Sequence, residues 1–453
     1  MDGGFIASQI CTEMKWLIDM YIVDYWIDEI WKDIPSSWKS LANLNDFEWS
    51  QVMNENSVLC SLREPLPLNI LCLRSILKYY SLINEDDSTI ATALLTTTEN
   101  IQRYSSIIKY EKRGVKEKKR GEIDKIIPII LSMIDYRPFS VFIDIGCGIG
   151  HLSRAISCSI PNLHVSGVEA NSILVKRARD LDEKRNEENI KRIEDWVMPH
   201  STHLFGNNTH GGVCVGGLHS CGDLTSSILR LTVSQSTVSS CLIFGCCYHK
   251  LNGGLDKKFR QTWEEVNMEK NEDDSMKGFP LSKLFNNVDL SYAARELACH
   301  SKQAYIKQME STNNRSHLHH SLRAMTEWLI VKVGGGRHIG IRGVTIHNIL
   351  SIQDFIDYLD KAMIDHQELL LKIKDELSLS SSLCEWIIQS ILSSTSLITT
   401  LYCLRVMIAP LVEDVILCDR VAFLRENGME SSVHRLFNPS LSPRCFAIIG
   451  VRS

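Results

Sequence analysis

The sequence predicts an α/β fold in which a largely parallel sheet is covered by helices. Apolar segments of strand length begin near Val141 and His164, and a segment with helical periodicity separates them. The turn after the first strand, Gly146-Cys-Gly148-Ile-Gly150, is rich in glycine and leads directly into a helix. A strand, a glycine-rich turn and a helix in this order are typical of the nucleotide-binding edge of a Rossmann-like sheet.

Length and composition are those of a globular protein with more than one unit. The chain has 453 residues, which at about 150 residues per domain gives two or three units. A hydrophobic fraction of 44% and a charged fraction of 23% exclude a largely disordered chain. A net charge of −5 and a pI near 6.3 exclude a uniformly basic surface, so a nucleic acid has to be bound by a local patch. The longest apolar runs are short or interrupted, and we expect no membrane span.

The fifteen cysteines predict a reducing environment. Their number is odd, and they show neither the spacing of a disulfide framework nor paired C-x-x-C motifs. We find no secretory signal ahead of them, and the first twenty residues contain no arginine, unlike a mitochondrial presequence. We therefore expect reduced thiols in the cytoplasm or the nucleus.

Helical patterns and composition divide the chain into four predicted segments. Apolar residues from Trp16 to Ile34 recur at steps of three and four, which predicts a helix near the start of the chain. Either its side chains pack in a core of their own domain or they form a surface for a partner. The segments are a helical N-terminal region at 1–110, the first part of the α/β domain at 111–255, an insertion at 256–400 that is polar and then helical, and a closing helix with the last strands at 401–453.

The end of the chain is predicted to return to the sheet. Trp328–Val333 has the composition of a strand, and Pro410 is placed at the first turn of a helix that ends before Gly428. Two apolar segments at His434–Phe437 and Arg444–Arg452 then predict a closing hairpin. We expect this hairpin to supply the final two strands, so that the insertion splits the α/β domain.

An acid before the glycine-rich turn indicates which nucleotide is bound. The run Asp144-Ile-Gly146-Cys-Gly148-Ile-Gly150 has G-x-G-x-G spacing instead of the G-x-G-x-x-G of dinucleotide-binding loops. Asp144 is predicted at the mouth of the crevice, where a carboxylate repels a pyrophosphate but suits the amino-acid end of a cationic sulfonium cofactor. Gly146, Gly148 and Gly150 allow the backbone to approach the ligand closely. The acid and the spacing together favour S-adenosylmethionine.

Two further acids are predicted to bind the nucleoside of that cofactor. Glu169 ends the second strand, where a carboxylate accepts hydrogen bonds from both hydroxyls of a ribose. Asp195 lies in a third predicted strand, Ile193–Val197, and is placed to accept a hydrogen bond from the adenine amino group. An acid on the protein surface would give the same pattern at Asp195.

Several sequence blocks resemble a known family. The glycine-rich turn, the strand end at Glu169 and Gly217–Thr225 resemble the methyltransferase-like protein twenty-five family, which includes the proteins called ribosomal RNA adenine dimethylase domain-containing. The family's basic K-K-x-H-E-I element resembles Lys118–Ile123, although Gly121 replaces its histidine. The resemblance implies a class I Rossmann-like methyltransferase domain that binds S-adenosylmethionine, here with a helical N-terminal region and a helical insertion before the last strands. Further similar blocks are Gly245–Leu251, Gly278–Ser282, Leu290–His300 and Leu441–Ala447.

A more distant likeness is to the tRNA acceptor-stem 2′-O-methyltransferases. They carry H-x-C-G after the fourth strand and C-C-x-H after the fifth, and His219–Gly222 and Cys246–His249 are similar. In this chain Asp223 follows Gly222 immediately instead of two residues later, which weakens the transfer of roles from that family.

Two histidines are the candidate catalytic residues. His219 and His249 follow the fourth and fifth predicted strands, so both are expected at the carboxyl edge of the sheet near the methyl group. A hydroxyl or protonated-nitrogen acceptor needs a base, which histidine provides. Either a histidine acts as base or orients the substrate, or it holds a loop through a structural hydrogen bond. The Asp/Asn-Pro-Pro-Tyr motif of amino-directed nucleic-acid methyltransferases is absent, which disfavours exocyclic amines as acceptors.

The cysteines near His249 raise the question of a zinc site. Cys246 and Cys247 are adjacent, and Cys221 is expected nearby. Neighbouring residues of an extended chain point to opposite sides, so we predict packing residues and no metal.

A basic stretch directly before the first strand bears on the substrate. Lys112–Arg120 is either a solvated face or a patch that binds phosphates beside the active site. The second alternative predicts RNA modification, with tRNA or rRNA as substrate. A protein methyltransferase and an inactive cofactor-binding scaffold remain as alternatives, and the intact Asp144, Gly148 and Glu169 disfavour the scaffold.

Overall fold

The computed structural model describes most of the chain. Residues 82–107 of the predicted N-terminal region and 256–276 of the predicted insertion lie outside the described residues. Within the described part, no helix combines the length and the hydropathy that a membrane span needs. The described ranges are 2–59, 62–81, 108–205, 211–253, 277–311, 316–344, 349–439 and 442–452.

The helices lie before, between and after the strands. Three 3₁₀ segments lie between Ile18 and Asp46, and two of them fall where a single helix from Trp16 to Ile34 was predicted. That prediction is wrong because the chain turns repeatedly, with Glu29 in the left-handed region at φ 49°. The described helices are α1 (Asp2–Glu13), α2 (Lys15–Ile18), α3 (Asp46–Met53), α4 (Leu68–Tyr80), α5 (Glu117–Tyr136), α6 (His151–Ser159), α7 (Ser172–Glu183), α8 (Asp223–Ser234), α9 (Tyr292–Leu297), α10 (Lys302–Met309), α11 (Ser316–Lys332), α12 (Ile352–Ala362), α13 (Gln367–Leu379) and α14 (Ser381–Glu426).

A seven-stranded sheet forms the centre of the α/β domain. Its strands are β1 (Val141–Ile145), β2 (His164–Glu169), β3 (Ile190–Glu194), β4 (Val213–Cys221), β5 (Val238–Cys246), β6 (Met429–Arg435) and β7 (Phe446–Arg452). Their order is β3-β2-β1-β4-β5-β7-β6, with β1 to β5 parallel and β7 antiparallel to both β5 and β6. The α/β fold is confirmed, and so is a closing hairpin that completes the sheet. Its first strand, β6, begins at Met429 and ends at Arg435, instead of running from His434 to Phe437 as predicted.

Two hydrophobic cores are joined by one long helix. The first core combines residues of the N-terminal region with residues of α9 to α14, so these two segments, distant in sequence, pack as one helical layer. The second core lies around the sheet. α14 spans about 69 Å at 1.5 Å per residue and contributes Leu404 and Val412 to the first core and Val421 and Leu424 to the second.

Two predicted elements at the end of the insertion are wrong. Trp328–Val333, predicted as a strand, lies at the end of α11, where the apolar run covers a buried helix face. Pro410 was predicted at the start of a helix but lies inside α14, which also runs without a break across the predicted boundary at residue 400. A short apolar run can be a buried strand or part of a buried helix. Periodicity does not distinguish the two, since both carry apolar residues on more than one side.

The strand order places a crevice at one point of the carboxyl edge. The chain proceeds from β1 outward to β2 and β3, then crosses back to β4 on the other side of β1. In open α/β sheets the loops after β1 and β4 therefore diverge, and ligands bind between them.

Candidate active site

The glycine-rich turn after β1 folds against the end of β2. The backbone N–H groups of Gly146 and Cys147 both donate to the carbonyl of Val168, at 2.9 and 3.1 Å. The N–H of Gly148 donates to Oε2 of Glu169 at 2.9 Å. The turn and the predicted ribose-binding acid are thus held together.

The three glycines of the turn have different surroundings. All three have positive φ values. A Cβ on Gly150 would collide with the guanidinium of Arg192, and one on Gly146 would touch Leu224 at 3.4 Å. A Cβ on Gly148 would meet no protein atom within 4 Å. Gly148 therefore borders open space where a ligand can lie against the backbone, whereas Gly146 and Gly150 leave room for neighbouring side chains.

Asp144 lies beneath the turn. Its side chain is 1% exposed, and its Oδ2 accepts a hydrogen bond from Ser153 Oγ at 2.6 Å. Burial raises the pKa of this carboxyl. The predicted position at the mouth of the crevice is therefore wrong, because Asp144 is the penultimate residue of β1 and points into the interior. A contact between Asp144 and the cofactor stays a prediction. It requires that the cofactor reach the buried carboxylate from the crevice.

A buried ion-pair network supports the turn from below. Arg192 on β3 donates to Ser153 Oγ at 2.9 Å and to Asp182 Oδ2 at 2.7 Å. Asp182 also accepts from Arg154, whose second nitrogen donates to the carbonyl of Ile149 within the turn. Sequence analysis missed both residues, because a charged residue in a short strand, such as Arg192, or near the end of a helix, such as Asp182, normally points to solvent.

Glu169 and Asp195 lie side by side at the ends of β2 and β3. The third strand was predicted at Ile193–Val197, but β3 ends at Glu194, so Asp195 follows the strand instead of lying within it. Each oxygen of Glu169 accepts one backbone hydrogen bond, from Gly148 and from Asn171. A carboxylate has about four acceptor positions, so two remain for the hydroxyls of a ribose. The N–H of Asp195 donates to the carbonyl of Glu169 at 3.1 Å, and its carboxylate contacts Nε2 of His203 at 2.9 Å. Together with the space beside Gly148, these residues fit an S-adenosylmethionine molecule.

His219 stands on a bulge at the end of β4. The pairing of β4 with β5 shifts between Leu218 and Ser220, and His219 at that shift has φ 65°. Its Nε2 lies 3.2 Å from Oε2 of Glu122, which is 3% exposed. Ser442 donates to the other oxygen of Glu122 at 2.8 Å. The bulge therefore aims an imidazole that is 31% exposed and is held from behind by a buried carboxylate.

The protonation of Glu122 is biased towards the anion. Burial alone would raise the pKa of this carboxyl, but hydrogen bonds from His219 and Ser442 and the charge of Lys118 outweigh burial and lower it. Sequence analysis missed this role, although Glu122 belongs to the basic element that resembles the family motif. The contact joins Glu122 on α5 to His219 on β4, and no local sequence pattern relates residues so far apart in the chain.

His249 packs against Cys299 and Tyr292. Its Nδ1 lies 3.5 Å from Sγ of Cys299, its ring packs edge-on against Tyr292, and its Nε2 is buried. The structure thus places the two predicted catalytic histidines in different environments, since His219 contacts a carboxylate whereas His249 contacts a thiol and an aromatic ring. A catalytic role of His249 stays a prediction.

Three thiols meet where β4 and β5 end. Sγ of Cys221 lies 2.9 Å from Sγ of Cys246 and 3.4 Å from Sγ of Cys247. Hydrogen bonds from Cys221 and Cys246 lower the pKa of the Cys247 thiol. The expectation that the adjacent thiols diverge is wrong, because the chain leaves β5 at Cys246 and turns at Cys247, where φ is 52°.

The basic stretch leads into the helix that carries Glu122. Lys118 lies 3.8 Å from Glu122, one turn before it on α5. Arg113 and Lys116 are exposed, whereas Lys112 is paired with Asp124 at 2.9 Å. Exposed positive charge therefore lies on α5, which carries Glu122, and on the residues directly before it.

Comparison with known proteins agrees with this geometry. Residues 118–254 match the model of a family described as a methyltransferase domain. The chain is 27% identical over 306 residues to a Homo sapiens protein named "Probable methyltransferase-like protein 25", and 27% identical over 245 residues to the Mus musculus protein of that name. The alignments cover 65% and 52% of this chain, respectively. The resemblance seen in the sequence is confirmed.

The relatives are longer than the aligned segments. The matched segments span 45% of the human protein and 37% of the mouse protein. Among solved structures, SAH-bound Podospora anserina methyltransferase PaMTH1 is 14% identical, with a TM-score of 0.23 over 40% of this chain and 73% of that chain. That superposition is too weak to equate individual residues.

Proposed function

The chain contains a class I methyltransferase domain related to that of methyltransferase-like protein 25, and on this premise we propose that it is an S-adenosylmethionine-dependent methyltransferase of RNA, with tRNA or rRNA as substrate. The observation that carries the proposal is the His219–Glu122 pair, which stands at the carboxyl edge of β4 beside the crevice after β1. A base at this position serves transfer to a hydroxyl or to a ring nitrogen that carries a proton.

The donor side of the site holds the cofactor. The open backbone at Gly148 would allow close approach, Glu169 would accept hydrogen bonds from the ribose hydroxyls, and Asp195 beside it would accept one from the adenine amino group. When bound, S-adenosylmethionine supplies the methyl group. The residues of the chain contribute mainly by alignment, which is worth several kcal/mol in a displacement reaction.

The acceptor side holds the base. Nε2–H of His219 donates to Glu122, which leaves Nδ1 free of a proton and able to take one from the acceptor group. Glu122 then stabilises the imidazolium, as the carboxylate of a catalytic triad does. Ser442 keeps Glu122 in place through its second oxygen.

The substrate class follows from charge. Arg113 and Lys116 precede α5, and Lys118 lies on α5 one turn before Glu122. Phosphates bound along this basic stretch would lie next to the base, and the net charge of −5 makes such a patch a local feature of the surface. A cytoplasmic or nuclear location, where RNA and reduced thiols coexist, is part of this proposal.

The test is methyl transfer from tritiated S-adenosylmethionine to separated cellular RNA and protein by the full chain. We expect label in tRNA or rRNA, and a lower yield with the double variant Arg113→Glu, Lys116→Glu. The double variant Lys307→Glu, Lys361→Glu makes the same charge change at exposed positions on α10 and α12 and serves as control. Loss of two phosphate contacts also lowers the log–log salt slope of RNA binding by roughly 1.5 to 2. Label confined to protein would refute RNA as substrate. Equal effects of both double variants would refute the basic stretch as the surface that binds the RNA.

A further inference from the structure

The cluster of Cys221, Cys246 and Cys247 is built from two neighbouring strand ends. Cys221 is the last residue of β4 and pairs in register with Cys246, the last residue of β5. The three Sγ atoms lie within 4.8 Å of one another, and all three are free thiols. The cluster therefore combines short distances with a rigid scaffold on both sides.

The backbone is strained to form this cluster. Cys247 has φ 52°, in the left-handed region that is unfavourable for a residue with a Cβ. Strain of this kind persists where other interactions fix it, and it concentrates at ligand-binding sites. The left-handed turn brings Sγ of Cys247 to 3.4 Å from Sγ of Cys221, so all three sulfurs can reach one ligand.

The distances suit a thiolate-bound metal ion. Zinc binds sulfur at about 2.3 Å, and tetrahedral angles then place the ligand sulfurs about 3.8 Å apart. The Sγ separations of 2.9 and 3.4 Å reach that value with shifts below about 1 Å. The group contains no fourth histidine, cysteine or carboxylate ligand among the residues that the structure describes.

A buried cation beside the cluster gives independent support. Arg420 of α14 is 0% exposed, and none of its three guanidinium nitrogens has a hydrogen-bond partner in the described part of the chain. It lies against Gly245, where a Cβ would collide with Nη1, and its guanidinium carbon lies 5.3 Å from the centroid of the Tyr248 ring. Its charge interacts with Tyr248, Asp419 and Cys246. A buried guanidinium that makes no hydrogen bond is unfavourable, even beside an aromatic ring and a nearby carboxylate. Three thiolates around one divalent ion carry a net charge of −1, which Arg420 would neutralise.

We propose that Cys221, Cys246 and Cys247 bind one zinc ion through three thiolates, with the fourth position left to water or to an atom of the substrate. Each thiol releases its proton to solvent when the ion binds, and zinc undergoes no redox change. An open fourth position is typical of reactive zinc sites. The ion also ties the ends of β4 and β5 together, close to the bulge that carries His219.

The test is the metal content of the full chain, purified without chelator and then dialysed against a slight excess of zinc sulfate. We expect about one zinc per chain, and less than about one tenth of that in Cys221→Ser and in Cys247→Ser. Cys241→Ser, a buried position on β5 outside the cluster, is the matched control and keeps the metal. Wild-type protein without zinc, or cluster variants that retain it, would overturn the proposal.

A second measurement covers variants that fail to fold. Titration of the metal-free wild-type chain with Co²⁺ is expected to give a sulfur-to-cobalt charge-transfer band that saturates at about one ion per chain. Bound zinc is also expected to protect these three thiols from alkylation. Absence of the band, or a Cys221–Cys246 disulfide in the purified protein, would contradict a metal site. These readouts do not depend on methyl transfer, so they separate failure of the zinc site from failure of the proposed function.

Discussion

The two sides of the candidate active site use left-handed backbone differently. On the β1–β2 side the positive φ values fall on Gly146, Gly148 and Gly150, where the lack of a Cβ makes this conformation inexpensive. On the β4–β5 side they fall also on His219 and Cys247, where each costs about 1–2 kcal/mol. The donor side is thus shaped for close approach of a ligand to the backbone. On the β4–β5 side, strained backbone at His219 and Cys247 sets the direction of their side chains.

The two sides also differ in how they are held. The glycine-rich turn rests on the buried network of Arg192, Asp182 and Arg154, so its support is structural. His219 rests on Glu122, a contact between residues 97 positions apart in sequence. Variants on the β4–β5 side are therefore expected to change methyl transfer without changing donor binding. Variants beneath the glycine-rich turn are expected to act through stability, and four predictions test this separation.

The largest expected effect is on methyl transfer in His219→Asn. Asparagine tolerates the left-handed region, so the backbone of the bulge is kept while the base is removed. We expect kcat to fall by about 10²–10⁴-fold and donor affinity to change by less than about twofold. Single-turnover methyl transfer and equilibrium donor binding measure the two quantities. A variant that keeps wild-type kcat would remove His219 from catalysis.

The next effect is on stability in Arg192→Met. The substitution leaves Asp182 with one cation instead of two and Ser153 with one hydrogen bond fewer. We expect the free energy of unfolding to fall by about 3–5 kcal/mol, measured by urea denaturation of the full chain. Arg137→Met, at an exposed position, is the control and should change stability by less than about 0.5 kcal/mol. Equal effects of both substitutions would show that the network does not support the turn.

A smaller effect is expected in Glu122→Gln, because the shape of the side chain is kept while its charge is lost. As a positioning residue, Glu122 should affect kcat by about tenfold and leave the KM for the donor close to wild type. If the donor KM rises as much as kcat falls, Glu122 acts on the donor side and the separation of the two sides fails.

The smallest effect is the pH dependence of stability at the same position. The pKa of Glu122 is lowered in the folded state, so its stabilising contribution is present above the unfolded value of about 4.3 and is lost as pH falls through the folded pKa. Glu122→Gln does not titrate there. The free energies of unfolding of the two proteins, measured as a function of pH, should therefore differ more at neutral pH than at low pH. A difference that stays constant with pH would contradict an ionised Glu122.

Sequence patterns were sufficient where local chemistry decides the structure. The Asp144–Gly150 run identified the strand, turn and helix, and the apolar segments at the chain end identified the closing hairpin. They were insufficient where tertiary packing decides. Trp328–Val333 became helical within a large helical core, and Pro410 was accommodated inside α14. The positions of Asp144 and Cys247 depend on a turn of only one or two residues, which sequence periodicity does not resolve.

The central claim is that the crevice beside Gly148 binds the methyl donor, and equilibrium binding of tritiated S-adenosylmethionine to Gly148→Leu tests it most directly. Gly334→Leu is the control, since Gly334 has φ 83° and open space around its Cβ position. We predict one donor per wild-type chain, binding at least about tenfold weaker in Gly148→Leu, and binding within about twofold of wild type in Gly334→Leu. Wild-type affinity in Gly148→Leu, or no donor binding by the wild-type chain, would contradict the account.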